Sequence, residues 1–402
     1  MIEQIEKLPN TVQEWSSWVS ASLKNLGNDP YFEMIQEWKN NHLPIFLFGC
    51  GNYAHLCRRT LQSDGIDIDG YYIDKAYWHE NMNVGGKPIF PFSTELPLNC
   101  NILICIQANI QGRLAMLIQQ LQHCGALVWT NSVIPRFDYI GERMTPEFFL
   151  ENSHCFFQAY SLLSDDISRH SFLESIKARI SGNCLYYRHT YPDNEYTWIM
   201  NKKNSQYIVN GGACNGETIE SMERFALEKG FSIIKNYAIE PNTKLLTELQ
   251  SRISPYPWNS NVECIPKGLA ECRKNITFAM ADQGSFIVNP ADPVVNLKFR
   301  ECHPEDLVSI ETVALDELLP ENVPITYIKL DIEGAELAAL KGARKTILRC
   351  RPTLAVCVYH RRTDLFEIPR FIHSIVPNYS FYLRVHKMCG TTTVLYANYE
   401  NS

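Results

Sequence analysis

No segment of this 402-residue sequence is long and apolar enough to span a bilayer; PIFLFG is among its longest apolar runs. Its start, MIEQIEKLPN, lacks the cationic and apolar regions of a secretory signal. Runs of lysine and arginine are missing too. With a net charge of −7 and a pI near 5.9, no basic stretch exists to neutralise phosphates, which argues against nucleic acid as a partner. The 14 cysteines and 11 histidines include no CxxC and no HxxxH spacing, which argues against a structural zinc site. Scattered through apparent strands and helices, the cysteines read as reduced, buried thiols of a cytoplasmic protein rather than as disulfides. Internal repeats and low-complexity tracts are absent as well. The length exceeds what one core usually serves, so two domains joined by a connector are expected, with homo-oligomerisation left open.

Two strand-turn-helix segments carry the chemistry. The apolar strand Thr326 to Leu330 is followed at once by Asp331, Glu333 and Glu336, then by helical spacing at Leu337, Leu340 and Ile347. In open α/β sheets ligands bind beyond the carboxyl ends of strands, where these acids fall. The helix macrodipole alone explains acids in a first turn, so Glu333 and Glu336 have a structural account as well as a functional one. Asp331, hard against the strand end, is the stronger candidate.

The second segment is Tyr207-Ile-Val-Asn-Gly-Gly-Ala-Cys-Asn-Gly-Glu-Thr218, in which a strand enters a glycine-rich turn and a helix follows through Ile219, Met222, Phe225 and Ala226. Glycine lets the backbone approach a ligand closely, and free N–H groups of Gly216, Glu217 and Thr218 are expected to face a carboxylate or phosphate. A tight turn without a ligand is the plainer account. The next strand, Asn236 to Ile239, ends in Glu240-Pro241, where an acid can hold a ribose diol.

Residues 1–140 form a separate pattern. A helical leader with Trp15, Trp18, Ile35 and Trp38 precedes the strand Ile45 to Phe48, which enters the GxGxxA turn Gly49-Cys-Gly-Asn-Tyr-Ala54. Strands are expected near Gly70 to Ile73, ending at Asp74, and at 102–106 and 126–129, with a helix through Leu114, Leu117 and Leu121. This is a Rossmann-like domain whose nucleotide site would be Gly49, Gly51, Asn52 and Asp74; a degenerate fold that docks and binds nothing accounts for it equally well. A connector, 141–206, has helices expected at 146–163 and 171–180 and a dense set of aromatics, Tyr186, Tyr187, Tyr191, Tyr196 and Trp198, suited to stacking on an acceptor or to packing. From 207 to 402, strands at 207–210, 236–239, 262–265, 326–330, 353–358, 380–385 and 392–396 alternate with helices, giving a mainly parallel sheet closed by an antiparallel hairpin. Residues 276–314 break that alternation and are expected to form a lid.

From about residue 190 onward, IVNGGACNGETI (208–219), AIEPN (238–242), TYIKLDIEGAELAALKGARKTI (326–347), RPTLAVCVYH (351–360), DLFEIPRFI (364–372), YSFYLRVH (379–386) and TTVLYA (392–397) together resemble the FkbM family of S-adenosylmethionine-dependent methyltransferases. The resemblance implies an α/β fold with a class I methyltransferase sheet. It implies an O-methyltransferase acting on a hydroxyl of a sugar, glycan or related metabolite. The cofactor-binding residues would be Asn210, Gly212, Ala213, Asn215, Gly216, Glu217, Thr218, Glu240, Pro241, Lys267, Gly268 and Asp331. One position departs from the family pattern: Asn210 stands where aspartate is usual, and it supplies no negative charge opposite the cofactor's ammonium. Asp331, supported by Glu333 and Glu336, is the candidate base, and His360 is the alternative that titrates near neutrality. A divalent cation on two of the carboxylates is the lesser alternative, and no metal is assigned. Arg384 and His386 resemble a family pair that orients the acceptor, or else form surface salt bridges. Two other functions remain in view: a cofactor-binding or scaffold protein that lost turnover at Asn210, and a nucleotide-dependent oxidoreductase working through residues 1–140, for which no catalytic Tyr/Lys or Cys constellation follows Asp74.

Overall fold

A computed structural model describes residues 7–25, 30–94, 97–106, 111–130, 144–181, 186–189, 194–279, 286–287, 307–386 and 392–399. The chain has an α/β fold and divides into two compact units, one of Ala21–Arg136 with Lys177–Tyr186, the other of Met1–Ser20, Phe137–Ile176 and Tyr187–Ser402. The described chain opens on helices α1 (Val12–Asn25) and α2 (Pro30–Asn41), which bury Trp15, Trp18, Ile35 and Trp38. Among the described residues no helix is long and apolar enough to cross a membrane.

In the smaller unit, β1 (Ile45–Phe48), α3 (Asn52–Ser63), β2 (Gly70–Asp74), β3 (Asn83–Val84), β4 (Lys87–Phe92), β5 (Asn101–Ile104), α4 (Gln111–His123) and β6 (Leu127–Thr130) build a sheet of order β3-β4-β2-β1-β5-β6. All its pairings are parallel except β3 with β4. β1 pairs with both β2 and β5, so the strand order reverses beside it, and the Gly49 turn stands at that switch point. Phe48, Ile102, Ile104, Leu117 and Leu121 form the core beneath one face. The β3–β4 hairpin escaped the sequence reading because Lys87–Phe92 carries Pro88 and Pro91, which suppress a strand assignment except near an edge, where this one lies.

In the larger unit, the helix expected at 146–163 breaks at Asn152 into α5 (Pro146–Glu151) and α6 (Ser153–Ser161). Helix α7 (Asp166–Ser181) starts five residues earlier than the expected 171, because the Asp165 carboxylate accepts the Ser168 backbone N–H at 2.7 Å and caps it. The main sheet follows from β7 (Tyr207–Gly211), α8 (Glu217–Glu228), β8 (Lys235–Ile239), α9 (Thr243–Ile253) and β9 (Val262–Ile265). After an excursion through β10 (Gly268–Leu269), β11 (Lys274–Ala279), β12 (Phe286–Ile287) and β13 (Leu307–Val313), it resumes with β14 (Tyr327–Leu330), β15 (Thr353–Cys357), β16 (Tyr379–Val385) and β17 (Thr393–Tyr399).

The sheet order is β16-β17-β15-β14-β7-β8-β9, parallel from β15 to β9, with β16 and β17 as an antiparallel hairpin. Its central strands are buried on both faces through Ile208, Val209, Ile328, Leu354 and Val356, which is why they read as continuous apolar runs. The excursion forms a second sheet, β10-β13-β11-β12, whose main pairing is antiparallel. Residues 288–306, the heart of the expected lid, lie outside the described residues.

Candidate active site

The carboxyl ends of β7, β8, β14 and β15 converge on one constellation. Gly212 has φ +73°, and a Cβ built there would sit 1.8 Å from the Asp331 carbonyl oxygen, so only glycine fits. Backbone bonds tie this turn to both neighbours: Gly212 N–H donates to Ile239 O at 3.0 Å, and Asp331 N–H donates to Gly211 O at 3.2 Å. One expectation is corrected here. Gly216 N–H is not free, because it donates to Ala213 O at 3.0 Å within the tight turn, and Glu217 N–H lies 3.4 Å from Asn215 Oδ1. Arg252 ties the outer side down, donating to Asn215 O at 3.0 Å and to Glu217 Oε1 at 3.1 Å. Ala213 is buried behind the turn, while Thr218 and Pro241 are half-buried.

Asn210 is fully buried, and neither its amide nitrogen nor its oxygen has a hydrogen-bond partner. Directly across the sheet, in register, stands Lys329, also fully buried. Its ammonium donates to Gly212 O at 2.7 Å and Gly211 O at 3.2 Å and lies 5.2 Å from the centre of the Tyr196 ring. Sequence reasoning passed over this residue, although a lysine inside the apolar strand Tyr327–Leu330 is itself a signal, since a buried charge demands partners.

At the end of β8, the Glu240 carboxylate accepts Cys214 N–H at 3.0 Å and Asn242 N–H at 2.9 Å. Burial raises its pKa, with those two bonds and Lys329 pulling the other way. Each oxygen keeps a second lone pair for a ligand. Of the remaining expected cofactor residues, Lys267 forms an ion pair with Glu311, and Gly268 lies in β10 of the second sheet.

Asp331 is clamped by two tyrosines: Tyr196 OH donates to Oδ2 at 2.9 Å and Tyr359 OH to Oδ1 at 3.1 Å. Burial works to raise its pKa, but Lys329, His360 and Tyr196 together hold the carboxyl below the usual carboxylate range. His360 is wholly buried at the end of β15. Its Nε2 lies 3.6 Å from Asp331 Oδ1 and 3.8 Å from Glu333 Oε2, and its Nδ1 lies 2.9 Å from Glu336 Oε1. Burial alone would lower the imidazole pKa, yet Glu336 first, then Glu333 and Asp331, raise it to about 10. The expected titration near neutrality is therefore displaced upward: without another cation present, His360 is an imidazolium at pH 7.

Glu336 also has the structural role allowed for it, since its Oε1 accepts Ile332 N–H at 2.8 Å at the mouth of the helix Glu336–Gly342. Glu333 adopts φ +56°, an uncommon backbone conformation for a side-chain-bearing residue, and its carboxylate turns back toward His360.

Arg384 and His386 are not surface groups. Both are buried; Arg384 pairs with Asp165 at 2.6 Å and stacks 4.4 Å from the Trp198 ring centre, while His386 Nε2 lies 2.9 Å from Tyr396 OH. Among the connector aromatics, Tyr187 and Tyr196 are buried and Trp198 packs against Tyr382 and Tyr396; Tyr191 lies outside the described residues. In the smaller unit, Gly49 has φ +105°, and a Cβ there would meet Ile106 Cγ2 at 2.9 Å and Cys105 O at 3.0 Å. A Cβ at Gly51 would meet nothing within 4 Å, Asn52 opens α3, and Asp74 ends β2 half-buried.

The fold is that of a known class of protein. A crystal structure of the methyltransferase FkbM from Methylobacillus flagellatus KT is similar to it with a TM-score of 0.70 and 21% identity, covering 95% of this chain and 99% of that one. An uncharacterized protein from Burkholderia thailandensis has a TM-score of only 0.19 and 10% identity, over 50% of this chain and 56% of its own, and carries no argument. Residues 210–382 match the family model described as the methyltransferase FkbM domain. No curated protein sequence matches the chain.

Proposed function

We propose that the protein is a cytoplasmic, S-adenosylmethionine-dependent O-methyltransferase acting on a hydroxyl of a sugar, glycan or related metabolite. The carrying observation is the cradle beyond β7, where Gly212 leaves no room for a side chain and the Asn210 amide is buried with both polar atoms unpartnered. Those residues fit the cofactor. The turn from Gly212 to Gly216 would hold its amino-acid end beside Asn210, and the spare lone pairs of Glu240 would receive the ribose hydroxyls. When bound, the cofactor supplies an electrophilic methyl group on a sulfonium. The protein must then hold the acceptor oxygen in line and take its proton. Asp331 suits the proton-accepting role. It is ionised and fixed by Tyr196 and Tyr359, and a weak base suffices for an oxygen that becomes strongly acidic as the new C–O bond forms.

Calorimetric titration tests the reading. Glu240→Ala is expected to weaken S-adenosylmethionine binding by about 1.5 to 3 kcal/mol, the range of hydrogen bonds to a charged group; unchanged affinity would remove the ribose assignment. Asp331→Asn is expected to cut turnover on an accepted sugar at least about a hundredfold while leaving cofactor affinity near wild type. A second reading, a cofactor-binding protein without turnover, is favoured by one observation: Asn210 sets a neutral amide beside the Lys329 ammonium, so no acid offsets that charge within the register pair. Labelled methyl transfer across a broad sugar panel separates the two.

A further inference from the structure

Asp331, Glu333, Glu336 and His360 do more than surround a base. One oxygen each of Asp331 and Glu336 and one nitrogen of His360 lie within 4.8 Å of one another, and Glu333 Oε2 comes within 3.8 Å of the same imidazole. The imidazole is held from behind: Glu336 Oε1, 2.9 Å from Nδ1, directs Nε2 toward Asp331 Oδ1 and Glu333 Oε2 at 3.6 and 3.8 Å. A carboxylate behind a ligating histidine is the usual way to fix its tautomer and ring plane. Two neighbouring ligands of an ion with bonds of roughly 2.1 Å stand about 3.0 to 3.4 Å apart, a little less than the 3.6 and 3.8 Å that separate Nε2 from the two carboxylates.

A second, independent observation points to a missing positive charge. Glu336 is wholly buried, yet its Oε2 has no hydrogen-bond partner, which is costly for an anionic oxygen out of water.

We propose that Asp331 Oδ1, Glu333 Oε2 and His360 Nε2 bind one divalent cation of the Mn²⁺ class, with Glu336 as the residue that positions the imidazole. One nitrogen and two carboxylate donors suit such an ion better than Ca²⁺, which takes oxygen ligands, or a thiolate-seeking metal. Asp331 and Glu333 remain about a quarter exposed, so the ion faces outward with positions left for an acceptor. There it would take the acceptor hydroxyl as a further ligand and lower its pKa, the proton passing to a carboxylate or to water. Taken with the methyl-transfer reading, this favours an acceptor that offers oxygen donors, such as a vicinal diol; the metal site itself does not depend on that reading.

The test uses the full chain, stripped with a chelator, and no methyl donor. Calorimetry and electron paramagnetic resonance with Mn²⁺ alone should report one saturable ion per chain, with nitrogen coupling from one imidazole. His360→Gln should abolish that coupling, and Glu333→Gln, which keeps the side chain's size at a quarter-exposed position, should weaken binding at least about tenfold. No saturable Mn²⁺ binding by the wild type, or affinity unchanged in Glu333→Gln, overturns the proposal even if His360→Gln fails to fold. Because no donor is present, such a failure leaves the methyl-transfer reading standing, and a failure of donor binding leaves the metal site standing.

Discussion

Two glycine turns follow the first strands of two parallel sheets, and they are furnished very differently. Beyond β7 the turn meets Glu240, Lys329 and Asp331, with His360 and two tyrosine hydroxyls close behind. Beyond β1 the described neighbours of Gly49 are Ile106 and the Cys105 backbone; burial, followed by Cys57, pushes the Cys105 thiol pKa well up and leaves it inert. The helices differ in the same sense: α8 turns Glu223 into the core, whereas α3 buries Cys57 and Leu61. A strand-turn-helix supplies the cradle in both units, and the side chains on neighbouring strand ends decide whether the cradle has chemistry to do.

The largest effect that would sharpen this contrast is at Gly212. Gly212→Ala must displace a carbonyl from 1.8 Å at a φ that alanine avoids, so it should cost about 3 kcal/mol or more in urea denaturation and eliminate cofactor binding. A mild effect would break the argument that the turn is sterically committed.

Glu223 comes next. Burial lifts its carboxyl from the ordinary 4.5 to about 7. Between those values the folded state keeps a proton that the unfolded chain releases, so the group lowers stability as pH rises through that window, and the loss is complete above it. Glu223→Gln should therefore stabilise the protein by roughly 2 to 3 kcal/mol near pH 8 and hardly at all near pH 4. Equal stability at both would place the acid in a wetter setting than its burial implies.

Asn210→Asp should tighten S-adenosylmethionine binding by about tenfold or less, since it restores a charge beside Lys329 and opposite the donor's ammonium. Weaker binding would mean that this turn is built around the amide. The smallest effect is expected at Gly51. Its Cβ has open space, so Gly51→Val should change stability by no more than about 0.5 kcal/mol and leave S-adenosylmethionine affinity unchanged. Any nicotinamide dinucleotide or sugar nucleotide that binds the wild type and not this variant would make the β1 turn a second ligand site.

All seven strands of the main sheet were legible because each is an apolar run, and β7, β8, β9 and β14 are stopped at once by glycine, acid or proline, signals carried by neighbours in the chain. So were the glycine turn, Glu240 and Asp331, which sit at those stops. What stayed hidden depends on distant partners. Lys329 meets Gly212, Tyr196 meets Asp331 and Arg384 meets Asp165 across separations of 117, 135 and 219 residues, and no local pattern records such meetings. Gly216 failed for a different reason: the turn that makes glycine useful there also uses up its N–H.

The in-register pairing of β7 with β14 has a kinetic consequence. Asn210 and Lys329 become neighbours only when a loop of 119 residues closes, carrying β8, β9 and the whole second sheet within it. Closing such a loop costs about 4 kcal/mol of chain entropy beyond the fixed part, before any pairing returns it. The two halves of the ligand cradle thus meet late on the folding route, and until they do each presents an apolar strand edge to whatever is nearby, which makes this seam the place where slow folding and misassembly should concentrate.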